Sequence, residues 1–303
     1  MLRRHAIKGE VVEPFWRMFM LASRWSTLRR DERERFIIRG YATVHPQAVF
    51  CSTSAAVMHG IPVSYERLGT IHLLSDHDVP KQGAAAVARH RGRKQGVERV
   101  DGVLVTPLMR TGVDAMRAGS FPDALVVADA LLSRLGITRS ALMEAVERYA
   151  RGSKGVEVAR RAAAYADARS GSGGESYARA VMIQDGIVPT DLQRTYRDPL
   201  DARFSFRPDF VFELVSGKTV LGELDGKVKY IDKDMLGGRD SLDVLLDERQ
   251  RESRLTMLDM PVVRFRMKDV LMPGRLATLF AAAGVTPKAL VQRDYRSVGG
   301  MPL

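Results

Sequence analysis

A chain of 303 residues, 45% hydrophobic and 27% charged, is long enough to bury two separate cores and has the composition of a soluble globular protein. Its formal charge of +11 belongs almost wholly to residues 1–170, with 27 Lys and Arg against 17 Asp and Glu, whereas residues 171–303 carry 20 against 19; a basic excess of this kind points to a polyanion such as DNA as partner. No apolar run approaches the ~20 residues needed to cross a bilayer, and Met1-Leu2-Arg3-Arg4-His5 is not followed by the apolar stretch of a secretion signal, so the expectation is a cytoplasmic protein with no membrane partner.

The first half reads as α+β with a helical bundle. Residues 13–24 repeat apolar side chains at helical spacing (Phe15, Met18, Phe19, Leu21, Ala22), and residues 30–39 suggest a strongly charged second helix. A short helix is predicted over 52–59, capped by Ser52 or Thr53 and stopped by Gly60-Ile61-Pro62. Strand-like runs follow at 70–74, 85–90 and 97–105, the last broken by Asp101-Gly102, a pair suited to a tight hairpin turn. From 107 to 168 the pattern becomes four consecutive helices, opened by Pro107, Phe121-Pro122-Asp123, Thr138 and Ser153. Leu125, Val126, Ala128, Leu131 and Leu132 form one apolar side of the second.

Arg169-Ser170-Gly171-Ser172-Gly173-Gly174 reads as a flexible joint and sets the expected boundary between a helix-rich basic domain, 1–170, and a second domain, 171–303. Beyond it the predicted order is helix 175–185, strand 192–197, strand 204–214, a turn at Ser216-Gly217, strand 219–225, helix 242–258, strand 262–265 and helix 275–283. Helices flanking a small mixed sheet give an α/β/α layer arrangement.

Glu223, Asp225 and Lys227 are spaced by two, so a strand running through them turns all three to one face. Val215-Ser216-Gly217-Lys218 can reverse the chain so that the preceding strand pairs antiparallel, which sets Asp209 across from the 223–225 segment. Carboxylates gathered this closely repel and raise one another's pKa. A divalent cation resolves the conflict, and hard oxygen ligands suit magnesium or manganese. Lys227 beside such an ion can orient water and neutralise charge on a phosphate. Cys51 is the only cysteine and all six histidines precede residue 91, which removes multi-thiolate zinc sites and histidine-based hydrolase chemistry from the second half.

Pro208-Asp209 followed by Glu223-Leu224-Asp225-Gly226-Lys227 resembles the PD-(D/E)XK nuclease superfamily. More closely, about 115 residues look like the very-short-patch-repair-like domains of actinobacterial proteins. The carrying residues are Glu175-Ser176 opening a helix, Asp209-Phe210 on a strand, Glu223 to Gly226, Glu248-Arg249-Gln250-Arg251-Glu252 with Leu255, Val262-Val263-Arg264-Phe265 and Asp269-Val270. The resemblance implies a restriction-endonuclease-like α/β/α fold. It implies Asp209 and Glu223 as metal ligands, Asp225 as a further ligand or supporting acid, Glu175 as a helix-borne carboxylate near the attacking water, and Lys227 in place of the superfamily's lysine, one position displaced. Two departures stand out: no histidine follows the strand, and Asp225 occupies the usual lysine position.

The first half resembles AbiEi-type antitoxin proteins through Ser52-Thr53-Ser54-Ala55-Ala56 with His59-Gly60, His90-Arg91-Gly92, Val105-Thr106-Pro107, Arg110-Thr111, Asp114 and Ala128-Asp129-Ala130. That resemblance implies a bacterial regulator with an N-terminal winged helix, yet only about 45 residues precede the match and no wing-like hairpin is visible in them. Among individual residues, His59 near a helix end is suited to bonding a free carbonyl, and Arg110 to an ion pair with Asp114.

Together these features predict a magnesium- or manganese-dependent endodeoxyribonuclease in a toxin-antitoxin or phage-defence setting. Glu175, Asp209, Glu223 and Lys227 are the catalytic candidates and Asp209, Glu223 and Asp225 the metal candidates. Arg89, Arg91, Arg93, Lys94, Arg249 and Arg251 are candidates for nucleic-acid contacts. The alternative is a non-catalytic antitoxin or transcriptional regulator that binds DNA, a cognate toxin or a defence-system protein through a degenerate nuclease fold.

Overall fold

Residues 11–21 form a hairpin, not the helix that their apolar spacing suggests, in the computed structural model, which describes residues 2–76, 86–198, 205–225 and 260–291. After a short helix α1 (Leu2–Ile7), β1 (Val11–Phe15) pairs antiparallel with β2 (Met18–Leu21). The local chemistry explains the outcome: Val11 and Val12 are β-branched, Pro14 is unsuited to a helix interior, and Arg17 turns the chain at φ 60. Helix α2 (Ala22–Thr27) and the charged helix α3 (Arg30–Val44) follow. The segment before residue 45 thus contains a hairpin that its sequence does not announce.

The first compact unit, Met1–Ala163, is built on a five-stranded mixed sheet ordered β5-β4-β3-β7-β6. Its strands are β3 (Val49–Phe50), β4 (Ile71–Ser75), β5 (Val87–Arg91), β6 (Glu98–Val100) and β7 (Val103–Val105). Asp101 and Gly102, at φ 47 and 81, make the expected tight turn between β6 and β7. Ile38, Phe50, Met58, Ile71 and Val105 form the centre of one core with less than 2% exposure each. Helix α4 (Ser52–His59) buries every one of its residues and stops at Gly60 in the left-handed region, as its glycine predicts. Its N-cap, however, is Cys51 with no side-chain capping bond, and Ser52 itself sits at φ 50. Ser52 and Thr53, the expected caps, are buried inside the helix instead.

Four helices complete the unit: α5 (Leu108–Ala118), α6 (Phe121–Leu135), α7 (Arg139–Ala150) and α8 (Val156–Tyr165), the last continuing two residues past the unit boundary. Pro107 stands at the N-terminal boundary of α5 without a side-chain capping bond, Thr138 caps α7, and Ser120 with Asp123 makes a reciprocal capping box at α6. Close approach of α5 and α6 depends on Gly112, where an added Cβ would lie 2.4 Å from Leu131 Cδ1.

The second unit, Ala164–Leu303, begins seven residues before the expected domain start at 171, ahead of the Gly/Ser run. That run is not a free linker. Ser172 caps α9 (Gly173–Gln184), the Gly171 amide bonds Glu175, and Arg179 reaches back to the Tyr165 carbonyl at 2.7 Å. The sheet is four-stranded, ordered β13-β12-β11-β8, and contains β8 (Asp191–Leu192), β11 (Phe210–Glu213), β12 (Thr219–Asp225) and β13 (Val262–Arg266). A separate two-stranded pair joins β9 (Tyr196–Arg197) to β10 (Ser205–Phe206). Two expected strands are thus each divided: 192–197 at Gln193, and the other at Arg207-Pro208-Asp209.

Strand alternation separates the two faces of this sheet. Phe210, Phe212, Val220, Leu224 and Phe265 pack against α9 and the helix Arg275–Ala282, where Gly222 leaves room for Phe280, 3.0 Å from its virtual Cβ. Val211, Leu221 and Val262 occupy the opposite face. The described architecture is mixed α and β. The expected helix 242–258 lies outside the described residues.

Candidate active site

Strand β12 carries the acidic group because its alternation leaves Thr219, Leu221, Glu223 and Asp225 on one face. The Gly217 turn, φ 85, returns the chain so that β11 and β12 pair antiparallel, with Phe210 opposite Gly222 and Val211 opposite Leu221. Asp209 precedes β11 and falls next to the Glu223–Leu224 step. The Leu224 amide donates to Asp209 Oδ2 at 2.9 Å, fixing the carboxylate against the strand that bears Glu223 and Asp225.

Glu175 reaches the same end of the sheet from the first turn of α9. Its Oε1 accepts from Ser172 Oγ at 2.9 Å, and its Oε2 accepts from the Gly171 amide at 2.8 Å and from Gln193 Nε2 at 2.9 Å. The same Gln193 Nε2 donates to Asp209 Oδ1 at 3.0 Å. One amide NH2 group therefore bridges the two carboxylates, and only its donor end can face both. Burial raises the Glu175 carboxyl above the ordinary range, with the nearby Asp209 charge adding to it and three hydrogen bonds opposing.

On the other side β13 runs parallel to β12, with Glu223 in register with Arg264 and Asp225 with Arg266. Arg264 Nη2 lies 3.2 Å from Glu223 Oε2, and Nη1 lies 3.9 Å from Asp225 Oδ1. These side chains keep 24, 15 and 31% of their surface exposed, in the order Arg264, Glu223, Asp225. A separate ion network braces the strand before Gln193: Arg194 bonds Asp191 at 2.8 Å and Glu213 at 2.6 Å, and Arg169 bonds Asp191 at 2.5 Å.

The structure thus gathers Glu175 with Asp209, and Glu223 with Asp225, at one end of one sheet. Lys227, Arg249 and Arg251 lie outside the described residues. Gln193 and Arg264 are the residues that sequence reasoning missed as parts of the site. Arg264 had a signal in the alternation of Val262-Val263-Arg264-Phe265, which puts it on one face with Val262. Gln193 had none.

Carboxylate oxygens on neighbouring strands are the donor type that magnesium or manganese takes, and in kind the set fits such an ion. Among the described residues, though, no group of three or more His, Cys, Asp or Glu side chains is placed to hold a metal ion. The amide of Gln193 links Glu175 to Asp209, and the guanidinium of Arg264 lies against both Glu223 and Asp225.

In the first unit, Arg89 and Arg91 lie on the edge strand β5 and Arg93 and Lys94 follow it; all four are exposed. Lys94 pairs with Asp76 at 3.2 Å, and the Arg93 carbonyl accepts from Arg110 at 2.7 Å. Arg110 and Arg117 flank Asp114 at 3.8 and 2.8 Å. His59 is buried and bonds the Thr106 carbonyl at 2.8 Å, a structural role. His72 Nδ1 and His90 Nε2 lie 2.8 Å apart, with the rings stacked. Among the described residues no helix is long and apolar enough to cross a membrane.

No protein-family model matches the chain, and no solved structure matches it. The chain is similar to the uncharacterized protein Rv2248 of Mycobacterium tuberculosis strain H37Rv, 34% identical over 146 residues, and to uncharacterized protein MT2308 of strain CDC 1551, with the same identity and length. The match covers 48% of this chain and 52% of each relative, so the chain spans about half the length of the curated relatives it matches.

Proposed function

We propose that the second unit is a divalent-cation-dependent phosphodiester hydrolase acting on DNA, with a cytoplasmic setting in toxin-antitoxin or phage defence. The observation that carries this reading is the 2.9 Å bond from the Leu224 amide to Asp209, which lays Asp209 beside the strand segment bearing Glu223 and Asp225. The resemblance of Asp209-Phe210 and Glu223 to Gly226 to PD-(D/E)XK nucleases supports it.

In this reading Asp209, Glu223 and Asp225 would hold magnesium or manganese. When bound, such an ion supplies Lewis-acid polarisation of a phosphoryl oxygen and lowers the pKa of a nearby water. Glu175, whose carboxyl is raised by burial, is suited to take a proton from an attacking water. Gln193 fixes the distance between Glu175 and Asp209. Arg89, Arg91, Arg93 and Lys94 supply phosphate contacts on the basic first half. Supercoiled plasmid DNA incubated with the protein and magnesium or manganese is expected to be nicked, and Asp209→Ala and Glu223→Ala to abolish nicking. Absence of nicking, or equal nicking by both variants, rejects the assignment.

A second reading has its own observation. Arg264 already neutralises Glu223 at 3.2 Å, which suits a non-catalytic regulator that binds DNA, a cognate toxin or a defence-system protein. Metal-independent, salt-sensitive retardation of DNA with no cleavage would favour it.

A further inference from the structure

We propose that the turn 271–275 is a contact for duplex DNA, in which Leu271 and Met272 press on bases and sugars while Arg266, Lys268 and Arg275 take phosphates. This rests on the reading of DNA as the substrate of the second unit and adds how the duplex is seated beside the carboxylates.

Strand register places the turn at the carboxylate end of the sheet. Asp225 pairs with Arg266 across the parallel strands, so the short helix Met267–Val270 leaves β13 where β12 presents its acids. Met267 Sδ lies 3.8 Å from the position that a Cβ on Gly174 would take, and Gly174 is the residue before Glu175. Val270 and Leu276 are buried and anchor the two ends of the turn in the core. Between them backbone bonds fix the chain: the Leu271 amide donates to the Met267 carbonyl at 3.0 Å and the Arg275 amide to the Met272 carbonyl at 3.1 Å, with Gly274 at φ 69 closing the bend. Leu271 and Met272 are therefore presented from a fixed frame.

Folding alone does not ask for this composition. Leu271 is 63% and Met272 55% exposed, and Pro273 is exposed beside them, a run of three apolar side chains where polar turn residues would fold as well. Three exposed cations, Arg266, Lys268 and Arg275, flank the run in sequence. The one acid among residues 266–275 is Asp269, which accepts the Arg266 amide at 3.0 Å and lies 3.7 Å from Arg275 Nε. Apolar and cationic groups side by side match a duplex, whose phosphates border the apolar surfaces of sugars and bases, and Leu, Met and Pro are side chains that proteins press between base steps. A second copy of the chain fits less well, since a symmetric contact through this turn sets like charges against each other. A lipid surface shares the charge of DNA but is held by a longer apolar face than three residues.

The test is fluorescence anisotropy of a labelled DNA duplex titrated with the full-length protein in EDTA, at several potassium chloride concentrations. The double variant Leu271→Ser, Met272→Ser is expected to bind about 5- to 30-fold more weakly, with the slope of log affinity against log salt unchanged. Arg266→Gln with Lys268→Gln should instead flatten that slope by roughly 1 to 2. Both should melt as wild type does, because the altered side chains are exposed; if the serine variant melts lower, Leu271→Ala with Met272→Ala decides by the same criterion. Affinity for the duplex that the apolar variant leaves unchanged overturns the inference. So does binding to anionic phospholipid vesicles, or self-association in the ultracentrifuge, that this variant abolishes while DNA binding persists. Duplex binding with the expected losses but no nicking under magnesium or manganese removes the hydrolase reading and keeps the contact. Nicking together with an unaltered affinity in the apolar variant removes the contact alone.

Discussion

Gln193 grips Asp209 at two points: its backbone amide donates to the Asp209 carbonyl at 3.3 Å and its side-chain amide to Oδ1 at 3.0 Å. The residue does so from a left-handed backbone, φ 54, a conformation that costs a non-glycine residue ~1 kcal/mol or more. That cost persists because the turn ends β8 and aims the amide between Glu175 and Asp209.

Replacing Gln193 by Leu removes the donor shared by two partly buried carboxylates and brings them into direct repulsion. We expect Gln193→Leu to lower stability by roughly 1–3 kcal/mol in metal-free protein, measured by urea unfolding. Saturating manganese should recover part of the loss, because an ion held by Asp209 offsets the negative charge that Glu175 then faces. A loss that manganese leaves unchanged would mean that Gln193 braces the turn only.

Acid should weaken the first unit through His72. Burial, and then the neighbouring His90 and Arg67, hold the His72 imidazole down from 6.5 to about 4. Burial likewise lowers His90, with Asp114 opposing and Arg117 assisting. The folded value lies below the unfolded one, so the unfolded chain takes up the proton first. The stabilisation is therefore present above about pH 6.5 and is lost as pH falls towards 4, by at most roughly 3 kcal/mol for His72. Urea midpoints for wild type and His72→Gln at pH 7 and pH 4.5 check this. The variant should lose less stability on acidification, and parallel losses would contradict the assignment.

Much of the second unit was legible because its signals are local. The two-residue spacing of Glu223 and Asp225 fixes a face, and the Ser216-Gly217 turn fixes the antiparallel register that brings Asp209 alongside. The Asp101-Gly102 turn and the helix ending at Gly60 were legible for the same reason. What sequence left hidden depends on distant partners or on a single torsion. Arg264 belongs to the site only once β13 is known to pair with β12 in parallel, across residues far apart in the chain. Gln193 sits within a run that reads as one strand, and nothing in its neighbours announces a left-handed break. The Gly/Ser run near residue 171 has linker composition, but Ser172 and Gly171 spend their hydrogen bonds on α9 and Glu175. Residues 13–24 show the converse error, where helical spacing arises by coincidence in a hairpin containing Pro14.

The most direct measurement is the anomalous difference map of crystals grown with manganese. The account predicts a peak in contact with Asp209 and Glu223 carboxylate oxygens. A map with no peak there, and with the Arg264–Glu223 pair and the Gln193 bridge intact at saturating manganese, would contradict it.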